Sequence, residues 1–121
     1  MTITTTTRDV DGVTIVDIKG RIVLGEESAA LRELVADLVA KGQRKILLNF
    51  VHVNYIDSSG LGSLVSSLAR VRMYDGELKL LNLTKRVHEV MQVTKLNTVF
   101  EILDDEAVAV NSFRQSAGET G

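Results

Sequence analysis

The chain has 121 residues, 45% of them hydrophobic and 25% charged, which fits one globular domain and argues against two domains or a disordered chain. The formal net charge of -2 excludes an overall basic field for nucleic acid, and the absence of cysteine excludes disulfides and thiolate metal sites. Residues 1–7 lack a signal-peptide pattern and no apolar run has the length of a membrane span, so we expect a cytoplasmic protein with no membrane partner.

The first elements read as a β-hairpin. Residues 3–8 are rich in threonine and residues 13–19 are rich in β-branched side chains, so both segments are predicted strands. Asp11 and Gly12 between them suit the two positive-φ positions of a type I′ turn, which makes the pair antiparallel. Gly20 is predicted to end the second strand.

Two helices are predicted around a central strand. Apolar residues at helical spacing predict a helix over residues 26–41, and a nearly continuous apolar run at 45–50 predicts a strand that is covered on both faces. Residues 51–57 are then a connection, and a second helix begins near Ser58. Its predicted buried side consists of Leu61, Leu64, Val65, Leu68 and Val71.

The remaining elements are shorter. Residues 78–83 are a predicted strand, Thr84 is a predicted N-cap of a short amphipathic helix, and residues 99–103 resemble a final strand. Asp104 or Asp105 is expected to cap a last helix that includes Phe113. We expect a single domain over residues 1–115 and a flexible tail over residues 116–121.

The order of these elements predicts the fold class. An opening hairpin followed by alternating helices and strands implies an α/β domain with a mixed sheet of about five strands and about four helices. The hairpin supplies an antiparallel edge, and the strand-helix-strand units supply the parallel part.

Small polar residues precede the second predicted helix, in a chain otherwise rich in aliphatic side chains. An aspartate and two serines suit the positions around an N-cap, and two glycines remove bulk from the first turn. The positive end of a helix stabilises an anion by about 0.3–1 kcal/mol at exposed sites. These residues by themselves also fit a well-capped helix without a further role. The candidate site comprises Asp57, Ser58, Ser59, Gly60, Leu61 and Gly62.

Residues 53–62, VNYIDSSGLG, resemble the signature of STAS-domain anti-sigma factor antagonists, in which Asp-Ser-Ser/Thr-Gly-Leu-Gly follows the third strand. The segments GRI at 20–22, LLNF at 47–50 and LLNL at 80–83 fall in the order of that family. The resemblance implies the STAS fold over nearly the whole chain.

The resemblance also implies a function and partners. In that family the serine after the aspartate, here Ser58, is phosphorylated by the anti-sigma factor, a histidine-kinase-like serine kinase. The unmodified form binds the anti-sigma factor and so releases the sigma factor, which is an indirect partner, and a metal-dependent serine phosphatase restores the unmodified form. The resemblance implies no enzymatic activity and no cofactor. Ser59 is an alternative or additional site of modification.

The sequence departs from the family after Gly20. Members often carry an acidic residue shortly after this glycine, whereas this chain has Ile22, Val23 and Leu24. These three residues are either core or an apolar contact for a partner, and the pattern favours core.

Other functions have weaker support in the sequence. His52 and His88 are not spaced as a catalytic base for Ser58 or as a metal pair, and no nucleotide-binding glycine motif is present. A STAS interaction module of another system, such as a transporter accessory subunit or a stress-signalling scaffold without a phosphorylation cycle, is the main alternative.

Overall fold

The structure is a computed structural model that describes residues 3–120 of the backbone and the side chains of residues 3–113. Within these residues, strands and helices alternate after an opening hairpin. The strands are β1 (Thr4–Val10), β2 (Val13–Ile22), β3 (Lys45–Ile56), β4 (Glu77–Leu81) and β5 (Ile102–Leu103), and the helices are α1 (Glu26–Ala40), α2 (Ser58–Met73), α3 (Lys85–Val93) and α4 (Glu106–Thr120). A 3-10 turn, Leu96–Thr98, precedes β5.

The strands form one sheet in the order β1-β2-β3-β4-β5. β1 is antiparallel to β2 and every other pair is parallel, which confirms the predicted α/β class with a mixed sheet. Asp11 and Gly12 have φ angles of 52° and 82°, as a type I′ turn requires, so the predicted hairpin turn is confirmed.

Alternating side chains of the sheet build two separate cores. One core packs α1, α2 and α3 against the sheet and includes Leu31, Leu64 and Val87, all fully buried. The other core is smaller and packs Phe113 of α4 against the opposite face, where it meets residues such as Ile15. The sheet is therefore covered on both faces, as the apolar run of β3 predicts.

The strand boundaries differ from the sequence prediction, most of all at the ends of β2 and β3, while β1 extends to Val10 and β4 ends at Leu81. β2 does not end at Gly20 but continues to Ile22. The pairing with β3 shifts register between Gly20 and Arg21, so the glycine lies at an irregularity within the strand and not at its end. β3 continues through the predicted connection at residues 51–57, because Tyr55 and Ile56 pair with the end of β2. The second half of β3 therefore extends beyond β4, whose pairing ends at Asn49.

Elements in the C-terminal half also differ in detail. β5 is shorter than predicted, since the 3-10 turn and the residues after it occupy positions 96–101. Thr84 stands at the N-cap of α3, but its hydroxyl donates to the Val53 carbonyl oxygen and does not cap the helix. Asp105 does cap α4, through a 3.0 Å hydrogen bond from the Val108 N–H. The predicted tail, residues 116–121, overlaps the end of α4, and Gly121 lies outside the described residues. The flexibility of the tail stays a prediction.

Candidate functional site

The site begins where β3 delivers the chain to α2. Asp57 is the N-cap, in extended conformation, and its Oδ1 atom accepts a 2.9 Å hydrogen bond from the N–H of Gly60. The Asp57 carbonyl oxygen also accepts the first helical hydrogen bond, from the N–H of Leu61. This geometry fixes the start of α2, because the Asp57 side chain satisfies one of the helix's otherwise unpaired N–H groups while its carbonyl oxygen accepts the first hydrogen bond of the helix.

The other carboxylate oxygen of Asp57 holds a second loop. Its Oδ2 atom accepts a 3.0 Å hydrogen bond from the N–H of Leu24, in the connection between β2 and α1. The Asp57 N–H in turn donates to the Ile22 carbonyl oxygen. The pKa of Asp57 lies below its ordinary value, first because of the Gly60 N–H and further because of the Leu24 N–H, and burial opposes this shift. Asp57 is therefore a carboxylate at neutral pH.

Ser58 is exposed at the first position of α2. Within the described part of the chain its hydroxyl makes no hydrogen bond, unlike the hydroxyl of Ser63 one turn further on, which is buried and donates to the Ser28 carbonyl oxygen. Ser59 is half-buried. Of the two serines in the predicted motif, Ser58 is thus the more accessible to an enzyme.

The two glycines of the motif have different environments. A Cβ atom at Gly60 would lie 2.6 Å from Cγ1 of Ile56 and would also collide with the Ile22 carbonyl oxygen. A Cβ atom at Gly62 would meet nothing within 4 Å. Gly60 is therefore required for α2 to approach the sheet, whereas Gly62 only leaves a flat area on the surface next to Ser58. Leu61 is buried and anchors the first turn in the core.

The connection after β2 divides the three residues that the sequence left between core and partner contact. Ile22 is fully buried in the core, Val23 is half-buried and Leu24 is 76% exposed. Leu24 is the residue whose N–H binds Asp57, so the backbone of this exposed apolar residue is held at the start of α2, where Ser58 lies.

The outward face of α2 continues this surface. Val65 was predicted to be buried, but it is 40% exposed, because the core-facing positions are Leu61, Leu64 and Leu68. Gly62, Val65, Ala69 and Met73 follow Ser58 at helical spacing and are all exposed. We call Leu24 together with these outward residues of α2 the α2 surface. The small residues between the leucines of α2 do not by themselves mark this surface, because Ser63 and Ser67 among them are buried.

The two histidines and the acidic residues were also candidates for a metal site. His52 and His88 are both exposed. Over the residues that the structure describes, no group of three or more His, Cys, Asp or Glu side chains is placed to hold a metal ion. No described helix is both long and apolar enough to cross a membrane.

Comparison with known proteins gives the family. The STAS domain family matches residues 4–109. The chain is 31% identical to the anti-sigma-B factor antagonist of Staphylococcus aureus over 72 residues, which cover 60% of this chain and 67% of that protein. It is 29% identical to BtrV of Bordetella bronchiseptica, a candidate anti-sigma factor antagonist, with 87% of this chain and 90% of that protein covered.

Solved structures agree with the sequence relatives. The crystal structure of a candidate anti-sigma factor antagonist from Thermotoga maritima superimposes with a TM-score of 0.84 at 27% identity, covering 91% of this chain and 94% of the other. The resemblance expected from residues 53–62 is thereby confirmed over nearly the whole domain. The chain belongs to the STAS-domain family of anti-sigma factor antagonists.

Proposed function

We propose that this protein binds an anti-sigma factor through the α2 surface and that phosphorylation of Ser58 abolishes this binding. The observation that carries the proposal is the position of Ser58, which is exposed, makes no side-chain hydrogen bond within the described residues and directly follows Asp57, whose carboxylate binds the N–H of the exposed residue Leu24. The unmodified form is the binding form, and its binding releases the sigma factor from the anti-sigma factor.

The α2 surface supports a protein partner. Leu24 and Val65 provide apolar contact area, and Gly62 lets another backbone approach closely because nothing projects from it. Exposed apolar residues that share one continuous face are typical of protein interfaces, whereas single scattered ones are not. The anti-sigma factor is the partner that family membership indicates.

The charges at the start of α2 explain how a phosphate would act. Asp57 already occupies the N–H groups of Gly60 and Leu24 with its carboxylate, so those donors are not free for a phosphate on Ser58. A phosphate adds about -1.5 to -2 charges directly beside this carboxylate. Within an interface, an imperfectly paired charge costs about 3–4 kcal/mol, which weakens binding by two to three orders of magnitude.

The change of affinity requires no refolding, because Ser58 side-chain atoms do not contribute to the core. The kinase is then the anti-sigma factor itself, and a metal-dependent serine phosphatase regenerates the binding form. Ser59 is half-buried and is less accessible to both enzymes.

The test uses the full chain and the anti-sigma factor of the same organism. After incubation of the two proteins with ATP, mass spectrometry should find phosphate on Ser58, and calorimetry should show an affinity at least about a hundredfold weaker for the phosphorylated protein. Ser58→Ala should bind and resist phosphorylation, whereas the matched variant Ser59→Ala should still be phosphorylated. Tight binding that survives phosphorylation would refute the switch and favour a STAS module without a phosphorylation cycle.

A further inference from the structure

The outer edge of β1 is an open edge of the sheet. Among the described residues β2 is the only strand beside β1, and the two strands pair over all seven residues of Thr4–Val10 without a register shift. The threonines at positions 4–7 are exposed. A straight edge strand of this length presents a row of backbone N–H and C=O groups with which another chain can pair.

The other strand edges of the described residues are short or already occupied. β5 has only two residues. Where β3 extends beyond β4, the Val51 N–H donates to the side chain of Asn49, and the Val53 carbonyl oxygen accepts from the Thr84 hydroxyl. Edge strands usually carry a lysine, a proline or a bulge that prevents strand addition, and β1, TTTTRDV, has none of these.

The hairpin turn determines which backbone groups of β1 point outward. In a two-residue type I′ hairpin the residues that flank the turn, here Val10 and Val13, form a hydrogen-bonded pair, and such pairs alternate along an antiparallel ladder. Every second residue before Val10 therefore directs its N–H and C=O groups to β2. Thr5, Thr7 and Asp9 direct theirs away from the sheet, and no described residue binds them.

We propose that β1 pairs with β1 of a second copy of this chain, antiparallel and around a two-fold axis, so that the two five-stranded sheets become continuous. Full overlap of the two strands places Thr7 opposite Thr7 of the second copy and Thr5 opposite Asp9. These three residues are the ones whose backbone groups point outward, so the register with the largest overlap also forms a hydrogen-bonded pair at each of them.

The charges on β1 permit this register and disfavour its neighbours. Arg8 is opposite Thr6 of the second copy, and its charge is already bound by Asp17 and Glu106 of its own chain. A shift by one residue would oppose outward groups to groups that already bind β2. A shift by two residues would either place Arg8 opposite Arg8, which is unfavourable, or leave the last two residues of each strand unpaired.

This contact consists of one strand pair, so we expect a weak dimer that forms at high protein concentration. It uses no residue of the α2 surface and does not depend on the proposed function. Sedimentation equilibrium of the full chain should therefore show a dimer whose share rises with concentration, with or without the anti-sigma factor's phosphorylation of Ser58.

Single cysteines test the register, because the chain has no cysteine of its own. Thr7→Cys should form an intermolecular disulfide under mild oxidation, since the Cα atoms of a hydrogen-bonded antiparallel pair lie about 5.5 Å apart. Thr5→Cys is the matched control, because it is also exposed but its two copies would lie about 14 Å apart along the strands. It should form the homodimer at least about tenfold more slowly, but it should cross-link to Asp9→Cys when the two variants are mixed.

A second pair of variants tests the dimer without oxidation. Thr7→Lys places two lysines opposite each other at the two-fold axis and should weaken the dimer at least about tenfold, whereas Thr5→Lys places a lysine opposite Asp9 and should not weaken it. Urea denaturation should show that both variants remain folded, since both positions are exposed. The proposal is overturned if the chain stays monomeric at about 1 mM, if Thr7→Cys and Thr5→Cys cross-link at equal rates, or if Thr7→Lys dimerises like Thr5→Lys.

Discussion

The Oδ2 atom of Asp57 lies 3.0 Å from the backbone nitrogen of Leu24, although the two residues are 33 positions apart in the chain. Through this bond the N-cap of α2 also fixes the connection between β2 and α1. The aspartate of the motif consequently has two structural roles, and it holds the backbone of the exposed residue Leu24 at the start of α2.

Asp57→Ala should destabilise the fold and also weaken the binding of the anti-sigma factor. Loss of an N-cap costs about 0.5–2 kcal/mol, and loss of the bond to Leu24 adds to this cost. Asp105→Ala removes an ordinary N-cap, that of α4, and is the matched control. Urea denaturation and calorimetry should show that both variants lose stability but only Asp57→Ala loses affinity at a temperature where both are folded. Equal affinities would contradict a role for Asp57 in positioning Leu24.

Gly60→Ala and Gly62→Ala should have opposite effects on stability. The added Cβ atom at position 60 would collide with Ile56 and with the Ile22 backbone, so we expect a loss of about 2 kcal/mol or more. At position 62 the Cβ atom meets nothing, and alanine should raise the free energy of unfolding by up to about 1 kcal/mol, since it favours the helix over glycine. Urea denaturation of the two variants measures both effects, and equal stability would show that α2 does not approach the sheet so closely.

Leu24→Ser and Val65→Ser should weaken binding of the anti-sigma factor with little loss of stability. Leu24 is 76% exposed and Val65 is 40% exposed in the free protein, and neither belongs to the buried core, but each truncation at an interface centre costs about 1–2 kcal/mol of binding energy. Val93→Ser is the control, because Val93 is 84% exposed on α3, outside the α2 surface. Calorimetry should find binding that is about five- to thirtyfold weaker for each of the first two variants. A similar loss for Val93→Ser would place the interface elsewhere.

The protein should lose stability in acid through the carboxyl groups that Arg8 binds. Arg8 donates hydrogen bonds to Asp17 on β2 and to Glu106 on α4, and these bonds hold the pKa of both carboxyl groups below their ordinary values, against the effect of burial. A carboxyl group with a lowered pKa in the folded state stabilises the fold above its unfolded pKa, and this stabilisation is lost as pH falls through the folded pKa. The free energy of unfolding should therefore fall below about pH 5.

Arg8→Gln tests whether Arg8 causes this loss of stability at low pH. All three side chains are about a third or more exposed, so solvent screening keeps the expected loss at pH 7 to about 1 kcal/mol. The variant should be less stable than the parent at neutral pH and should approach it in acid, whereas Arg86→Gln on the surface of α3 should follow the parent throughout. A pH curve of Arg8→Gln that stays parallel to that of the parent would show that Arg8 does not lower these pKa values.

Local patterns predicted the class of the fold and the position of the motif well. The type I′ turn depends only on Asp11 and Gly12, and the N-cap depends only on Asp57 and the residues of its own turn. Both could therefore be predicted from the local sequence. The choice between Ser58 and Ser59 could not be made from residue type, because both suit a helix start, and their difference in exposure arises from how α2 lies on the sheet.

Features that depend on distant segments were not predicted. The length of β3 follows from its pairing with the end of β2, and the hydroxyl of Thr84 finds the Val53 carbonyl oxygen on that extended strand. Lys79 was placed on an ordinary strand, yet it is buried, because its ammonium group lies over the ring of Phe113 and donates to Ser112. The burial of Lys79 is favourable only because α4 supplies these contacts, so it could not be predicted from the sequence of β4 alone.

The extended half of β3 has a consequence for how a signal spreads through the domain. Among the described residues, β3 pairs only with β2 beyond Asn49. The segment that leads to Asp57 is therefore held by strand pairing on one side only. A change at Ser58 therefore reaches the β2–α1 connection directly, through the hydrogen bonds of the neighbouring Asp57 to Leu24 and Ile22, and it reaches β4 only through the packing of the rest of α2.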